Sequence, residues 1–169
     1  MPTLTETQRK RARNIAAEAA LLGYRNKSQI HYTRGTARWQ GIDGKYESRR
    51  GQYPRNADCS AYATWCLWNG LYVAYSKLDV VNGARWRAGY TGTMMAHGAV
   101  VRRVSDIRKG DLVFYAYSGS TPTHVAIIVG RDKKGTPMVV SHGSEAGPHY
   151  LAYNYRRLVC VRRYIRKGV

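Results

Sequence analysis

The spacing of the apolar residues changes near residue 110, and this change constrains the fold more than any other feature of the chain. Beyond that point "GDLVFYAY", "HVAIIVG", "PMVVSHG" and "RRLVCVRRYI" are short β-rich runs separated by turn residues, which is typical of an antiparallel meander. Before it, the clearest apolar residues recur at helical spacing. Helices followed by strands, without βαβ alternation, predict an α+β domain with N-terminal helices packed on an antiparallel β-sheet.

Capping residues place the predicted helices. The first helix begins with a capping box from Thr5 to Gln8 and ends at Gly23. The second spans 59–69, with Asp58 as its N-cap. A third is expected within "TGTMMAHGAV".

The length of 169 residues fits a single domain, 1–169. We divide it into an N-terminal helix at 1–23, a loop region at 24–57 and a core at 58–169. The loop region is rich in Gly, Arg and Tyr and has weak periodicity. Long ordered loops in compact domains usually carry function, so we expect this region to contribute to a site.

The charge balance is strongly basic. The 28 Lys and Arg residues outnumber the 10 Asp and Glu residues, which gives a formal net charge of +18. Such a field attracts polyanions such as nucleic acid, anionic lipid or a phosphate-rich cell wall. A non-enzymatic nucleic-acid-binding module is one interpretation, but no nucleic-acid motif is present and "LVCV" is typical of a core strand. Its footprint would be Arg156, Arg157, Arg162, Arg163, Arg166 and Lys167.

The sequence shows neither an export signal nor a membrane span. The Ala/Leu stretch before Gly23 is too short for the apolar region of a signal peptide, and no apolar run approaches the thickness of a bilayer. Cys59 and Cys66 would lie two turns apart on one helix, at roughly 10 Å, which is too far for a disulfide. Reduced cysteines without an export signal predict accumulation in the cytosol.

Cys59 is the candidate nucleophile. As the first residue after the N-cap, it would meet free backbone N–H groups and the positive end of the helix dipole, both of which stabilise a thiolate. The alternative is a packing role in which the thiol acts as a small apolar side chain. The presence of a base beside the thiol would distinguish the two.

Two histidines at strand ends are candidates for that base. His124 begins "HVAIIVG" and His142 ends "PMVVSHG". A five-residue loop at 131–135 would place Gly130 opposite Thr136, and therefore His124 opposite His142 with Cβ atoms roughly 5 Å apart. One imidazole would then act as base while the other orients it. A slip of the register by one residue would separate them.

A Cys-His-His zinc site formed by Cys59, His124 and His142 is a further alternative. No C-x-x-C or H-x-x-x-H pair supports it, and the separations from 59 to 124 and from 124 to 142 match no zinc module. We therefore expect no metal and no other cofactor.

Four segments of the chain, in order, resemble the NlpC-type cell-wall cysteine peptidases, a papain-like family. They are "DCSAYATWCLWNG", "GDLVFYAYSGSTPTHVAIIVG", "MVVSHG" and "RRLVCVRRYI". In that family Asp-Cys-Ser opens a helix, a Gly-Asp-Leu strand leads to a strand that begins with His, and a third polar residue follows. The resemblance extends from about Ile30 to Tyr164, and the chain departs from the family in its long segment between Tyr32 and Asp58.

The resemblance implies a role for each matching residue. Cys59 would be the nucleophile, His124 the general base and His142 the orienting third member of a catalytic core. The positions that match substrate-binding or oxyanion-supporting residues are Tyr32, Asp58 and Ser60.

The activity that the resemblance implies is hydrolysis of amide bonds in the peptide stem of bacterial peptidoglycan, often at a D-glutamyl–diaminopimelate bond. A strongly basic enzyme without anchor or export signal further resembles a phage endolysin, which would stay in the host cytoplasm until the membrane is breached. We expect a monomer that binds anionic wall polymers through its basic surface and has no nucleic-acid partner. The alternative is an N-acetylmuramoyl-alanine amidase or an acyltransferase that uses the same thiol centre.

Overall fold

The computed structural model describes residues 3–43, 47–71 and 78–167. Its α-helices are α1 (Glu6–Arg25), α2 (Cys59–Leu71) and α3 (Thr91–Ala96). Four two-residue strands form two small ladders, β1 (His31–Tyr32) with β2 (Asn56–Ala57), and β3 (Leu78–Asp79) with β4 (Ala84–Arg85). The main sheet comprises β5 (Ala99–Val101), β6 (Leu112–Tyr115), β7 (His124–Arg131), β8 (Pro137–Ser141), β9 (His149–Ala152) and β10 (Leu158–Arg163).

The main sheet has the order β5-β10-β6-β7-β8-β9, and all of its strand pairs are antiparallel. The predicted α+β fold is therefore confirmed. Two details differ from the sequence prediction. The run at 156–165 returns beside β6 instead of extending the meander, and β5 and β9 were not predicted because both are short and only partly buried.

Helix α2 occupies the centre of the molecule. Each residue from Cys59 to Gly70 is buried, as expected for a helix that is apolar on almost every side. The predicted N-cap is confirmed, since Asp58 Oδ1 accepts a hydrogen bond of 2.8 Å from the backbone N–H of Ala61. The predicted capping box of α1, from Thr5 to Gln8, is also present.

Helix α1 packs against α2 through small residues. Its buried face consists mainly of alanines, so the two backbones approach closely. A Cβ atom built on Gly70 would lie 2.5 Å from the carbonyl oxygen of Ala12. The hydroxyl of Tyr62 on α2 donates to the carbonyl of Ala20 on α1 at 2.7 Å. The position of α2 therefore depends on this contact.

The two faces of the sheet bury different apolar clusters. One face packs against α1 and α2 with residues that include Phe114, Ile127 and Val140. The opposite face carries a smaller cluster that includes Tyr115 and Val139. No helix among the described residues is long and apolar enough to cross a bilayer.

Two buried carboxylates connect loops to α2. Glu47 accepts a 2.6 Å hydrogen bond from the indole N–H of Trp65, and Asp79 accepts one of 3.1 Å from that of Trp68. Burial raises the pKa of Asp79. Each loop is thus fixed to one side of the central helix.

Replacing Gly70 with alanine tests the close packing of the helices. Gly70→Ala should lower the free energy of unfolding by about 1–3 kcal/mol despite the better helix propensity of alanine, because the new methyl group meets a backbone oxygen. The matched control is Gly92→Ala on α3, whose Cβ would meet only the exposed ring of Tyr90. Thermal and urea unfolding of both variants provide the measurement. Equal stability of the two variants would contradict the packing argument.

Candidate active site

The first turn of α2 carries the candidate nucleophile. Cys59 is the first residue of the helix, so its backbone N–H has no intrahelical acceptor. Its side chain is 7% exposed. The sulfur lies 3.8 Å from the hydroxyl of Thr91 and within hydrogen-bonding reach of the backbone of Val125 at the start of β7. Cys59 is therefore held between α2, α3 and the strand that begins with His124.

The environment of Cys59 favours the neutral thiol. Burial raises its pKa, and the carboxylate of Asp58 raises it further. Hydrogen bonds from Val125, Thr91 and Ser60 act in the opposite direction without overcoming burial. The thiolate that the sequence led us to expect at the helix N-terminus is thus disfavoured in the free protein, because the thiol is buried and, secondly, because the carboxylate of Asp58 shares that terminus.

His124 is held by a hydrogen-bond chain. Its Nε2 lies 2.7 Å from Oγ of Ser141 on β8, and Oγ of Ser141 lies 2.7 Å from the hydroxyl of Tyr155. The His124 side chain is 4% exposed, and its ring contacts that of Tyr115 at a centroid distance of 5.9 Å. With Nε2 bound to Ser141, Nδ1 is the ring nitrogen left for chemistry.

The surroundings of His124 keep its imidazole neutral. Burial, followed by the charges of Arg156 and His142, lowers its pKa to about 4, while the charge of Asp58 acts in the opposite direction. The lone pair that a general base requires is therefore present across the neutral pH range.

The β7–β8 hairpin does not have the predicted register. Its loop comprises residues 132–136, since Arg131 pairs with Pro137. The loop therefore begins one residue later than predicted. This change alone would shift the pairing of β7 with β8 by two residues and leave His124 and His142 on the same face of the sheet. However, the pairing shifts by one residue between Ile128 and Gly130, after which Ile127 pairs with Val140. Side chains alternate between the two faces of the sheet. Beyond this bulge, each residue of β7 therefore shares its face with a different set of β8 residues than the prediction required.

The prediction that His124 stands opposite His142 was therefore wrong. Ser141 occupies the face of His124, and His142 lies on the opposite face, beside α2. There the ring of His142 contacts Tyr32 and Tyr62 at centroid distances of 5.4 and 5.6 Å.

His142 is deeply buried, with 1% of its surface exposed. Its Nε2 lies 3.3 Å from the carbonyl oxygen of His31, to which it donates. Burial lowers the pKa of His142, against the effect of backbone groups of His31, Ala57 and Gly147. These contacts connect β8 to β1 and to the segment that leads into α2.

Tyr32 reaches the site through strand pairing. Although a long segment separates it from α2 in sequence, β1 runs parallel to β2 and places Tyr32 beside Ala57, two residues before Cys59. The guanidinium of Arg34 forms a hydrogen bond with the Tyr32 hydroxyl, and this bond raises the pKa of Arg34. The departure in loop length noted in the sequence therefore does not remove Tyr32 from the site.

Arg38 is a site residue that sequence reasoning missed. Its guanidinium binds Oδ2 of Asp58 at 2.8 Å, Oγ of Ser60 at 3.3 Å and the carbonyl of Gly89 at 2.7 Å. Ser60 also donates to Asp58 at 2.9 Å. Asp58, Ser60 and Arg38 thus form one polar cluster at the start of α2. No spacing distinguishes Arg38 from the other arginines of its loop, so the sequence carried no signal for it.

The described part of the chain contains no group of three or more His, Cys, Asp or Glu side chains placed to hold a metal ion. The three cysteines are free.

Two solved structures similar to this one are of proteins from Trichomonas vaginalis. NlpC1 from Trichomonas vaginalis is 20% identical, with a TM-score of 0.53, and NlpC2 from the same organism is 18% identical, with a TM-score of 0.55. Each comparison covers 89% of this chain but only 44% and 47% of the respective relative, so the chain spans less than half the length of either protein. At this identity the likeness shows the fold. No curated protein matches the chain significantly in sequence.

The family is shown by a separate comparison at the level of sequence. The model of the NlpC/P60 family matches residues 38–163, which include α2, all six strands of the main sheet and the candidate residues Cys59, His124 and Ser141. The match extends over most of the chain and agrees with the resemblance found in its motifs. The chain belongs to the NlpC/P60 family.

Proposed function

We propose that this protein is a cysteine peptidase that hydrolyses amide bonds in the peptide stem of bacterial peptidoglycan. The observation that carries the proposal is the contact of the Cys59 thiol with the backbone of Val125, the residue that follows His124, whose imidazole is bound by Ser141. A nucleophile, a base and an orienting group are the requirements of nucleophilic acyl transfer. Family membership directs the proposal to wall peptides.

In the proposed first step, Sγ of Cys59 attacks the carbonyl carbon of the scissile amide while its proton passes to Nδ1 of His124. Backbone N–H groups at the start of α2, including that of Cys59, stabilise the oxyanion. The imidazolium then gives its proton to the leaving amine as the C–N bond breaks. Water attacks the resulting thioester, and His124 takes a proton from that water to regenerate the thiol.

In this scheme Ser141 takes the orienting role that the sequence assigned to His142. The Nε2–H of His124 donates to Oγ of Ser141, which the Tyr155 hydroxyl fixes in turn. Both contacts persist when Nδ1 is protonated, so the ring keeps its orientation through the cycle. His142 instead supports Tyr32 by ring contact, and Tyr32 assists the oxyanion or the substrate.

Asp58 and Ser60 are proposed to face the acyl side of the substrate, with Arg38 holding both. Because the carboxylate of Asp58 already serves the helix cap and the ion pair with Arg38, it is pre-oriented before any substrate binds. Such pre-orientation reduces the entropy lost on binding.

The net charge of +18 supports attraction to anionic wall polymers. Part of the basic C-terminal segment has structural partners, since Arg163 binds Asp111 with two hydrogen bonds of 2.8 Å. Arg166 and Lys167 are exposed and contribute to the long-range field. As part of this proposal, the protein acts in the release of a phage from its host cell, a role that fits a basic enzyme acting on the cell wall.

Replacing the nucleophile is the direct test of the proposal. Cys59→Ala and Cys59→Ser should abolish the release of fragments from purified peptidoglycan, because neither side chain forms the thioester. Cys66→Ala, at a buried thiol on the same helix, is the matched control and should lower stability without removing turnover. Mass spectrometry of the fragments identifies the new termini. A cut between muramic acid and alanine would indicate the amidase alternative, and normal turnover by the Cys59 variants would contradict the assignment.

The choice between Ser141 and His142 as orienting residue can be tested by substitution. Ser141→Ala should lower kcat about fivefold with little change in KM, the equivalent of one neutral hydrogen bond of about 1 kcal/mol. Tyr155→Phe should have a smaller effect in the same direction. His142→Gln keeps a donor for the carbonyl of His31 and should leave kcat closer to that of the wild type. A larger loss of kcat for His142→Gln, at unchanged stability, would restore His142 to the orienting role.

The pH profile should reflect a neutral thiol–imidazole pair. On the acid side, kcat/KM should fall only as the pH approaches about 4, where His124 becomes protonated and can no longer accept the thiol proton. On the alkaline side it should decline above the raised pKa of Cys59, since a thiolate facing neutral imidazole leaves no proton for the amine. The expected result is a broad plateau, measured on a soluble muropeptide. An acid limb at the ordinary histidine pKa of about 6.5 would contradict this scheme.

A further inference from the structure

Two cavities adjoin at the edge of the main sheet. Their volumes are about 390 and 360 Å³, and both are lined by residues 100–103, at the end of β5 and just beyond it. β5 is the first strand in the order of the sheet, next to β10. We call the two cavities together the edge groove. Its side chains take no part in the mechanism proposed for Cys59 and His124.

The larger cavity of the edge groove is strongly basic. Its charged residues are Arg102, Arg103, Asp106, Arg108 and Arg163. Two of these arginines have carboxylate partners. Arg103 forms hydrogen bonds of 2.8 and 3.1 Å with Asp106, and Arg163 forms two of 2.8 Å with the buried carboxylate of Asp111. These two pairs are already neutral, so they contribute little to the binding of an anion.

Arg102 and Arg108 have no such partner. In the part of the chain that the structure describes, no carboxylate forms an ion pair with either guanidinium, and both residues are exposed. Two positive charges therefore remain unpaired at one end of the groove. Planar guanidinium groups bind phosphate oxygens through parallel N–H groups, so this end of the groove suits a ligand that carries phosphate.

The smaller cavity has an apolar rim. Val100, Val104 and Leu158 line it together, and they are 50, 47 and 38% exposed. Six large apolar or aromatic side chains of the described residues are exposed to this degree, so half of them meet at this groove. Exposed apolar side chains that cluster and are flanked by polar residues indicate a surface that binds an apolar partner.

The combination of unpaired arginines with exposed apolar side chains restricts the partner. Free phosphate or a hydrophilic phosphodiester polymer would bind the arginines and leave the apolar rim in water. A peptide strand added to β5 would have only three residues to pair with. An anionic lipid surface satisfies both ends of the groove, because its phosphates bind guanidinium groups while apolar side chains enter the boundary between headgroups and acyl chains. The net charge of +18 adds long-range attraction to such a surface.

The arginines of the groove lie at the opposite end of β6 from His124. Asp111, which binds Arg163, directly precedes β6, whereas Tyr115 at the other end of this strand pairs with His124. At about 3.3 Å per residue, the strand separates its two ends by roughly 10 Å. Substitutions at Arg102 and Arg108 therefore test the groove without changing a residue of the candidate active site.

We propose that the edge groove docks the protein on an anionic phospholipid surface. Arg102 and Arg108 bind headgroup phosphates, and Val100, Val104 and Leu158 enter the boundary between the headgroups and the acyl chains. This binding is separate from the proposed peptidase activity, and its test needs no catalysis, so either proposal can fail without the other.

Sedimentation with lipid vesicles tests the proposal. At 0.15 M salt, the protein should sediment with vesicles made of equal parts phosphatidylglycerol and phosphatidylcholine, and far less with vesicles of phosphatidylcholine alone. The double variant Arg102→Gln, Arg108→Gln should weaken the apparent affinity for the anionic vesicles about 25-fold, at about fivefold for each charge next to the surface.

A matched control removes two charges elsewhere. Arg25 and Lys27 are exposed, and Lys27 packs against Gly147, just before β9 at the other edge of the sheet. The double variant Arg25→Gln, Lys27→Gln should weaken the affinity by no more than about twofold, because salt screens charges that do not contact the surface. An equal loss for the two double variants would show that net charge alone is responsible, and would overturn the proposal.

The apolar rim distinguishes a lipid surface from a phosphate polymer. Val100→Ser with Val104→Ser should weaken binding to the anionic vesicles about fivefold and leave binding to soluble poly(glycerol phosphate) unchanged. Leu158→Gln, at a third exposed position, should act in the same direction and provides a second apolar variant. Thermal unfolding checks that each variant stays folded. If only the arginine variant loses affinity, the groove binds phosphate without the acyl chains and the lipid proposal is wrong, as it is if the wild type does not bind the anionic vesicles.

Discussion

The burial of α2 is the constraint on which the rest of the structure depends. Every residue from Cys59 to Gly70 is buried, so the helix must be covered on all sides by α1, the sheet and the loops. Small residues on α1 allow close approach, and buried carboxylates attach the loops. The sulfur of Cys59 is brought to the backbone of β7 as a result. The site is thus a consequence of core packing as well as of its own polar contacts.

Burial also determines the electrostatics of the candidate site. It raises the pKa of the Cys59 thiol and lowers that of the His124 imidazole, so both groups are neutral at rest. In the proposed reaction the charged pair forms only as the substrate reacts, and the helix N-terminus and the hydrogen bond to Ser141 stabilise it then. A site of this kind gains little from a preformed ion pair, because desolvation would consume much of the Coulomb energy.

Much of the architecture could be predicted from local patterns. Capping residues placed α1 and α2, and short β-rich runs bounded by turn residues placed β6, β7, β8 and β10. Cys59 and His124 could be named as a pair because each begins a well-defined element. Tyr32 was also named, although only the parallel pairing of β1 with β2 shows how it reaches α2. Arg38 could not be found, because its importance lies in a contact across 20 residues that leaves no periodic trace.

The amino-acid sequence by itself determined which side chains begin the helix and the strand of the site, since caps and hydrophobic periods act over a few neighbouring residues. Which polar residue faces His124 was decided only by the tertiary structure. Turn residues suggested a hairpin with His124 opposite His142, but the pairing shifts by one residue within β7 and presents Ser141 instead. A bulge depends on how a strand bends over the core beneath it. One extra residue in one strand changes which side chains of the two strands share a face of the sheet beyond that point.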